Sequence, residues 1–312
     1  MKAKISQIEL PDFGTLKVNL PIISIGDGRP KVTIVAGMHG NERTGLLVMK
    51  SLFQSLNLTK GRIDFIPSAN PMAQALIIRD FPNMLDSHTN LNRNFPGKEN
   101  DEYGLINAKK LTEAVKDSDL VIDLHTFSLP CPVVAILADG PEEVLDKSRE
   151  LIKLLGPDII WRVNTEKKHE QEFTGTLGCY LHKQGTNFIA VELPKIFRVK
   201  EDQINRTVEG LNRILSHLGM QAGDPVKSTG EIPMYDRFPY VRSLNSGLFT
   251  ASKKLLDPIK SGETVGQLMN LYDFSIEPVI SPYDGKIIIL LDSDFVRMGD
   301  KLFSVAQEVS YF

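Results

Sequence analysis

Short apolar, β-branched runs alternate with stretches of helical periodicity over about the first 220 residues, the spacing expected of βαβ units. Residues 32–36, 63–67, 120–124, 133–137 and 188–193 read as strands, and Gly37 ends the first of them. Between them Leu46, Met49, Phe53 and Leu56 return at helical spacing, as do Leu105, Ala108, Leu111 and Val115. A helix is predicted over 142–155, stopped by Gly156, and a long amphipathic one through Ile204, Val208, Leu211, Leu215 and Leu218, stopped by Gly219. The strand runs are apolar throughout and do not alternate, as strands do when helices cover both sheet faces. An α/β domain with a mixed, largely parallel sheet follows. After Gly223-Asp224-Pro225 the pattern changes to short β-like runs cut by Gly, Pro and Asp at fairly even intervals, which predicts a small all-β unit. The expected division is 1–224 and 225–312.

Composition narrows the function more than the fold. With 42% hydrophobic and 24% charged residues, the 312-residue chain is a folded globular protein long enough for one large and one small domain. A net charge of −3 gives no reason to expect nucleic acid or an anionic membrane as partner. Cys131 and Cys179 form no Cys-x-x-Cys pair, so neither a thiolate metal site nor a redox dithiol is expected. Without a signal-like start or a run approaching the ~20 apolar residues of a membrane span, the expected location is the cytoplasm.

Four stretches carry candidate chemistry. His39-Gly40-Asn41-Glu42 follows the first strand, with Glu42 expected to enter the next helix. An imidazole and a carboxylate three residues apart can converge on one cation, at the carboxyl end of a strand where open α/β sheets place ligands. Asp123-Leu124-His125-Thr126 places His125 just past the end of another strand, where it can complete a three-ligand site, with Asp123 as an orienting group. Asn90-Leu91-Asn92-Arg93-Asn94-Phe95-Pro96-Gly97 presents an Asn-Arg pair suited to clamping a carboxylate. Val191-Glu192-Leu193-Pro194 sets a carboxylate in an apolar strand, where burial favours general acid-base work. Each has a plainer reading: a helix-start glutamate, a core histidine bonded to backbone, a solvated arginine, and a glutamate paired with Lys195.

Taken in order, HGNE, NLNRNFPG, DLHT and VELP resemble the succinylglutamate desuccinylase and aspartoacylase family, relatives of the zinc carboxypeptidases, over about residues 20–220 and the β-rich tail. The resemblance implies a carboxypeptidase-like fold and one zinc ion per chain on His39, Glu42 and His125, with Glu192 as general base. It implies that Asn92 and Arg93 hold a substrate carboxylate. The resemblance also implies an arginine, shortly after an Asn-Pro dipeptide, that polarises the scissile carbonyl, which here points to Arg79, after Asn70-Pro71. The tail resembles biotinyl- and lipoyl-type barrel-sandwich domains through Gly262-Glu263-Thr264-Val265-Gly266 and Pro282-Tyr283-Asp284-Gly285, but residues 267–281 contain no lysine to carry a prosthetic group, and the domain is expected to flank the active site. His88 is read as a solvated loop residue. The function so implied is hydrolysis of an N-acyl amino acid or a similar small carboxylate-bearing amide. A metallocarboxypeptidase acting on peptides and a silent metal- or ligand-binding protein remain as alternatives. The acyl group, the amino acid, nickel or cobalt in place of zinc, and self-association all stay open.

Overall fold

The computed structural model describes residues 3–82, 88–195, 199–223 and 230–311. The first part comprises β1 (Lys4–Glu9), β2 (Asn19–Asp27), β3 (Lys31–Ala36), α1 (Thr44–Ser55), β4 (Gly61–Ile66), α2 (Pro71–Leu76), α3 (Tyr103–Val115), β5 (Leu120–Thr126), β6 (Val134–Leu137), α4 (Glu142–Leu155), β7 (Ile159–Arg162), α5 (Leu177–Lys183), β8 (Asn187–Leu193) and α6 (Glu201–His217). The predicted strands and longer helices are present, with edges moved by a few residues. Missed by pattern were β1, whose side chains are mostly exposed, β2, the four-residue β7 and the short helices α2 and α5.

At the centre β4, β3, β5 and β8 lie side by side in parallel. Next to β8, β6 runs antiparallel and β7 then follows β6 in parallel, so the sheet is mixed. Every residue of β5 is buried, as a central strand covered on both faces requires. On one face Val32, Ile34, Leu120 and Ile122 pack with Val48 and Leu52 of α1, Ile152 of α4 and Leu211 of α6. On the other, Val35, Val121, Phe188 and Ala190 pack with Leu111 of α3 and Leu177 and Leu181 of α5. The two-residue period of a strand therefore carries Asp123 and His125, in step with Val121, onto the α3/α5 face. It carries Glu192, in step with Phe188 and Ala190, onto the same face.

The C-terminal part is all strand among the described residues: β9 (Pro233–Arg237), β10 (Tyr240–Arg242), β11 (Gly247–Ala251), β12 (Pro258–Ile259), β13 (Thr264–Met269), β14 (Ile276–Ile280), β15 (Gly285–Leu290), β16 (Ser293–Val296) and β17 (Lys301–Tyr311). The main sheet continues into it, since β9 pairs in parallel with β7 and antiparallel with β17. A separate four-stranded sheet, β14-β13-β11-β16, packs Phe249, Val265 and Leu268 against Ile287, Phe303 and Val305. The expected division at 224/225 falls outside the described residues. No helix among the described residues is long and apolar enough to cross a membrane.

Two close approaches hold the loop after β3 in place. The Thr44 hydroxyl donates to the Pro194 carbonyl at 2.7 Å, tying the start of α1 to the end of β8. A Cβ on Gly40 would lie 2.0 Å from the backbone carbonyl carbon of Ala73 in α2, so only glycine fits there. Gly40→Ala is expected to cost at least ~1–3 kcal/mol, as overpacking against backbone does. Urea denaturation checks this, and an unchanged midpoint would contradict the contact.

Candidate active site

His39, Glu42 and His125 converge, all three buried, with one ligand atom from each within 4.8 Å of the others. Glu42 is the hub. Its Oε1 lies 2.9 Å from His39 Nδ1, and its Oε2 lies 3.0 Å from His125 Nδ1. The Thr126 backbone N–H donates to Oε2 at 3.0 Å, and Arg79 Nη1 donates to Oε1. Burial works to raise the Glu42 pKa, but the facing imidazoles outweigh it and hold the carboxyl well below its usual range. Two expectations are corrected here. Glu42 does not enter the helix: it sits in the turn before α1, whose N-cap is Arg43, and its N–H bonds back to the His39 carbonyl. His125 lies inside β5 and not past its end, because the ladder to β8 continues through Thr126 opposite Leu193.

The outer nitrogen of each ring has a partner that fixes the tautomer. His125 Nε2 donates to Asp123 Oδ2 at 2.8 Å, leaving the lone pair on Nδ1. Asn90 Oδ1 accepts the Asn92 N–H, so it is an acceptor for His39 Nε2 at 3.1 Å as well. That leaves His39 Nδ1 as a lone pair facing Glu42, and it makes no hydrogen bond despite the short distance. Two imidazole lone pairs and a carboxylate aimed at one another are repulsive unless a cation or a proton lies among them. Two nitrogens and an oxygen are a donor set for zinc or a similar divalent ion. With neither bound, the His125 ring is the group that protonates: burial lowers its pKa, but Asp123 and Glu42 more than offset this and carry it well above the usual imidazole value.

Glu192 is the register partner of His125 on the neighbouring strand. Its Oε2 is buried without a hydrogen-bond partner, and the pairing with Lys195 considered from sequence is not made. Burial is the main cause that pushes its pKa to about 8, helped by Glu42 and Asp123 and opposed by His125 and Arg79.

Arg79 is delivered by α2. Asn70 caps that helix by accepting the Ala73 N–H, Pro71 takes its first turn, and Ile77 ends it in the left-handed conformation. The predicted Asn-Pro dipeptide is thus the helix start, and Arg79 lies in the site with its side chain about half exposed. Asn92 Oδ1 accepts the Leu177 N–H at the start of α5, which turns its amide NH2 into the donor end. Arg93 donates to the Asn92 carbonyl at 2.8 Å and lies 4.8 Å over the Phe173 ring. His88, expected in solvent, is only about a third exposed and bonds Glu102 at 3.1 Å.

Arg79, Asn92, Arg93, His39, His125 and Glu192 all line one recess. It holds a cavity of about 100 Å³ open to water-sized molecules. Its remaining wall was not found from sequence: with Ala138, Thr176, Gly178 and Cys179 it comprises the larger apolar residues Ile136, Trp161, Val163, Phe173 and Phe188 and the small Ala190. A wider groove shares Trp161 and Phe173 with the recess and is bordered by Phe238 and Tyr240 of the C-terminal part.

An acid with one buried, partnerless oxygen beside a metal-competent donor set, at the carboxyl ends of parallel strands, marks a hydrolase of the α/β class. Residues 28–218 match the family model of the succinylglutamate desuccinylase/aspartoacylase catalytic domain, and the chain belongs to that family, whose members hydrolyse amides. It is 25% identical over 306 residues to the N-alpha-acetyl-L-2,4-diaminobutyric acid deacetylase of Halomonas elongata, covering 95% of this chain and 87% of that protein. The fold matches a succinylglutamate desuccinylase/aspartoacylase structure from Rhodobacter sphaeroides (TM-score 0.79, 20% identity, 98% of this chain and 96% of that one). It also matches the ectoine utilization protein of Ruegeria pomeroyi (TM-score 0.80, 19% identity, 98% and 95%).

The raised Glu192 pKa has a sign that can be checked in metal-free protein. Its folded value of about 8 lies above the ordinary 4.5, so its contribution to stability is intact below pH 4.5 and is lost as pH rises toward 8. Glu192→Gln is therefore expected to raise the melting temperature relative to the parent chain, more at pH 8 than at pH 5. A gap that does not widen with pH would contradict the assignment.

Proposed function

We propose that the protein is a zinc-dependent deacylase that hydrolyses the amide bond of an N-acyl amino acid or a similar small carboxylate-bearing amide. The observation that carries this reading is the His39 Nδ1 lone pair, held by Asn90 on the far side of the ring and facing Glu42 without a hydrogen bond. His39, Glu42 and His125 would hold the ion, with Asp123 and Asn90 setting the ring tautomers. When bound, zinc supplies Lewis acidity that brings the pKa of water toward ~7 and polarises a carbonyl.

The chain's own groups do the rest. Glu192 accepts the proton of the attacking water and passes it to the leaving amine, a role suited to a carboxyl whose pKa burial has brought near neutrality. Arg79, with one N–H engaged by Glu42, presents the remainder of its guanidinium to the recess and stabilises the negative charge that develops on the scissile carbonyl oxygen. Arg93 and the Asn92 amide grip the substrate carboxylate, so that binding energy orients the amide bond. The amide-hydrolysing family and the deacetylase relative from Halomonas elongata support the reaction type.

Elemental analysis and an amine-release assay test this together. About one zinc per chain is expected, lost in His39→Ala and His125→Ala, with deacylation of at least one N-acetyl amino acid. Glu192→Gln should retain the metal while kcat falls about 10²–10⁴-fold. A chain that stays metal-free after zinc incubation, or a Glu192→Gln variant of full activity, would overturn the mechanism. Arg93→Ala should mainly raise KM, and an unchanged KM would remove it from carboxylate binding.

A further inference from the structure

The carboxylate clamp and an apolar wall share one recess, and their relative position bears on the identity of the amino acid. Glu192, Ala190 and Phe188 alternate along one face of β8, so the floor turns apolar directly beyond the proposed base. Ile136 pairs with Ala190 on one side and with Trp161 on the other, which extends that floor across β6 and β7. Phe173 closes it from above, with the Arg93 guanidinium stacked on its ring. A carboxylate held by Arg93 therefore has its neighbouring carbon at the edge of this wall. In an N-acyl amino acid that carbon bears the side chain.

We infer that the amino acid released has an uncharged, apolar side chain, which packs on Ile136, Trp161, Val163, Phe173, Phe188 and Ala190. This rests on the deacylase reading for the position of the carboxylate. The charges of the recess agree. Among the described lining residues the cationic side chains are Arg79, engaged by Glu42, and Arg93, so a second substrate carboxylate has no free countercharge and meets only neutral donors such as the Trp161 Nε1–H. The carboxylate among them is Glu192, needed for proton transfer, and the nearby Trp161 Nε1–H is an unpartnered donor that disfavours an ammonium. Burying either charged side chain against this wall without a partner carries a desolvation penalty that an aliphatic chain avoids. The selectivity inferred thus differs from that in the name of the Halomonas elongata relative, whose substrate carries a second amine.

Zinc-loaded full-length protein is assayed with N-acetyl-L-leucine and N-acetyl-L-methionine against N-acetyl-L-aspartate and N-alpha-acetyl-L-2,4-diaminobutyrate. In parallel, calorimetry measures binding of free leucine, aspartate and 2,4-diaminobutyrate. The expected result is a kcat/KM at least about tenfold higher for the apolar pair, and tighter binding of leucine. A preference for either charged substrate overturns the inference and leaves the deacylase reading intact. No hydrolysis of any substrate, with leucine still bound most tightly, overturns the deacylase reading and leaves the apolar pocket. No hydrolysis and no discrimination in binding overturns both. Ile136→Arg should shift the ratio of leucine to aspartate substrates toward aspartate by about tenfold, and a folded variant with an unmoved ratio would also overturn the inference. If that variant does not fold, the parent panel decides alone.

Discussion

A carboxylate sealed from solvent must be surrounded by positive charge or hydrogen-bond donors, and Glu42 imposes that requirement on everything near it. Its two oxygens face His39, His125, the Thr126 N–H and Arg79. These partners come from the turn after β3, from β5, and from the segment that follows α2. Satisfying one buried anion therefore requires three parts of the chain to be correctly placed at once. The Thr126 N–H and Arg79 supply donors to the anion, whereas the inward imidazole lone pairs require a cation or a proton among them, and that requirement makes the arrangement metal-competent.

The sheet turns that local demand into a site. Because β5 and β8 are parallel neighbours, the two-residue period of each strand puts Asp123, His125 and Glu192 on one face and in register. Each carboxylate keeps one buried oxygen without a partner, but Asp123 binds His125 through its Oδ2, while Glu192 stands in the recess. The two carboxylates on one face take different roles because their surroundings differ: one is bonded to an imidazole, and the other is desolvated against Ala190 and Phe188.

The C-terminal strands are more than an appendix to this arrangement. Through β9 and β17 the main ladder continues past β7, and Tyr240 on β10 borders the groove that adjoins the recess. Tyr240 is also near enough to feel Glu192. Burial chiefly, with that carboxylate assisting, pushes its phenol up to about 12. A neutral phenol and the Trp161 and Phe173 rings thus bound the approach to the acid.

The sequence by itself determined the elements and the short-range chemistry. Unbroken apolar runs required a sheet covered on both faces, and HGNE and DLHT each carry polar donors two or three residues apart, which local backbone geometry can bring near one another. His39, Glu42 and His125 were legible as candidate metal ligands for that reason, and Asn92 and Arg93 as a candidate carboxylate clamp on a polar Pro/Gly-ended loop. What the tertiary structure decided depends on strand order. Arg79 could be assigned to the site by its distance from Asn70-Pro71, but its grip on Glu42 follows from where α2 ends in space. The apolar wall draws on β6, β7, β8 and the segment before α5, and each of its residues alone looks like core. They become the lining of a pocket only because β6 is inserted, reversed, between β8 and β7, an event of long-range pairing that no local pattern encodes.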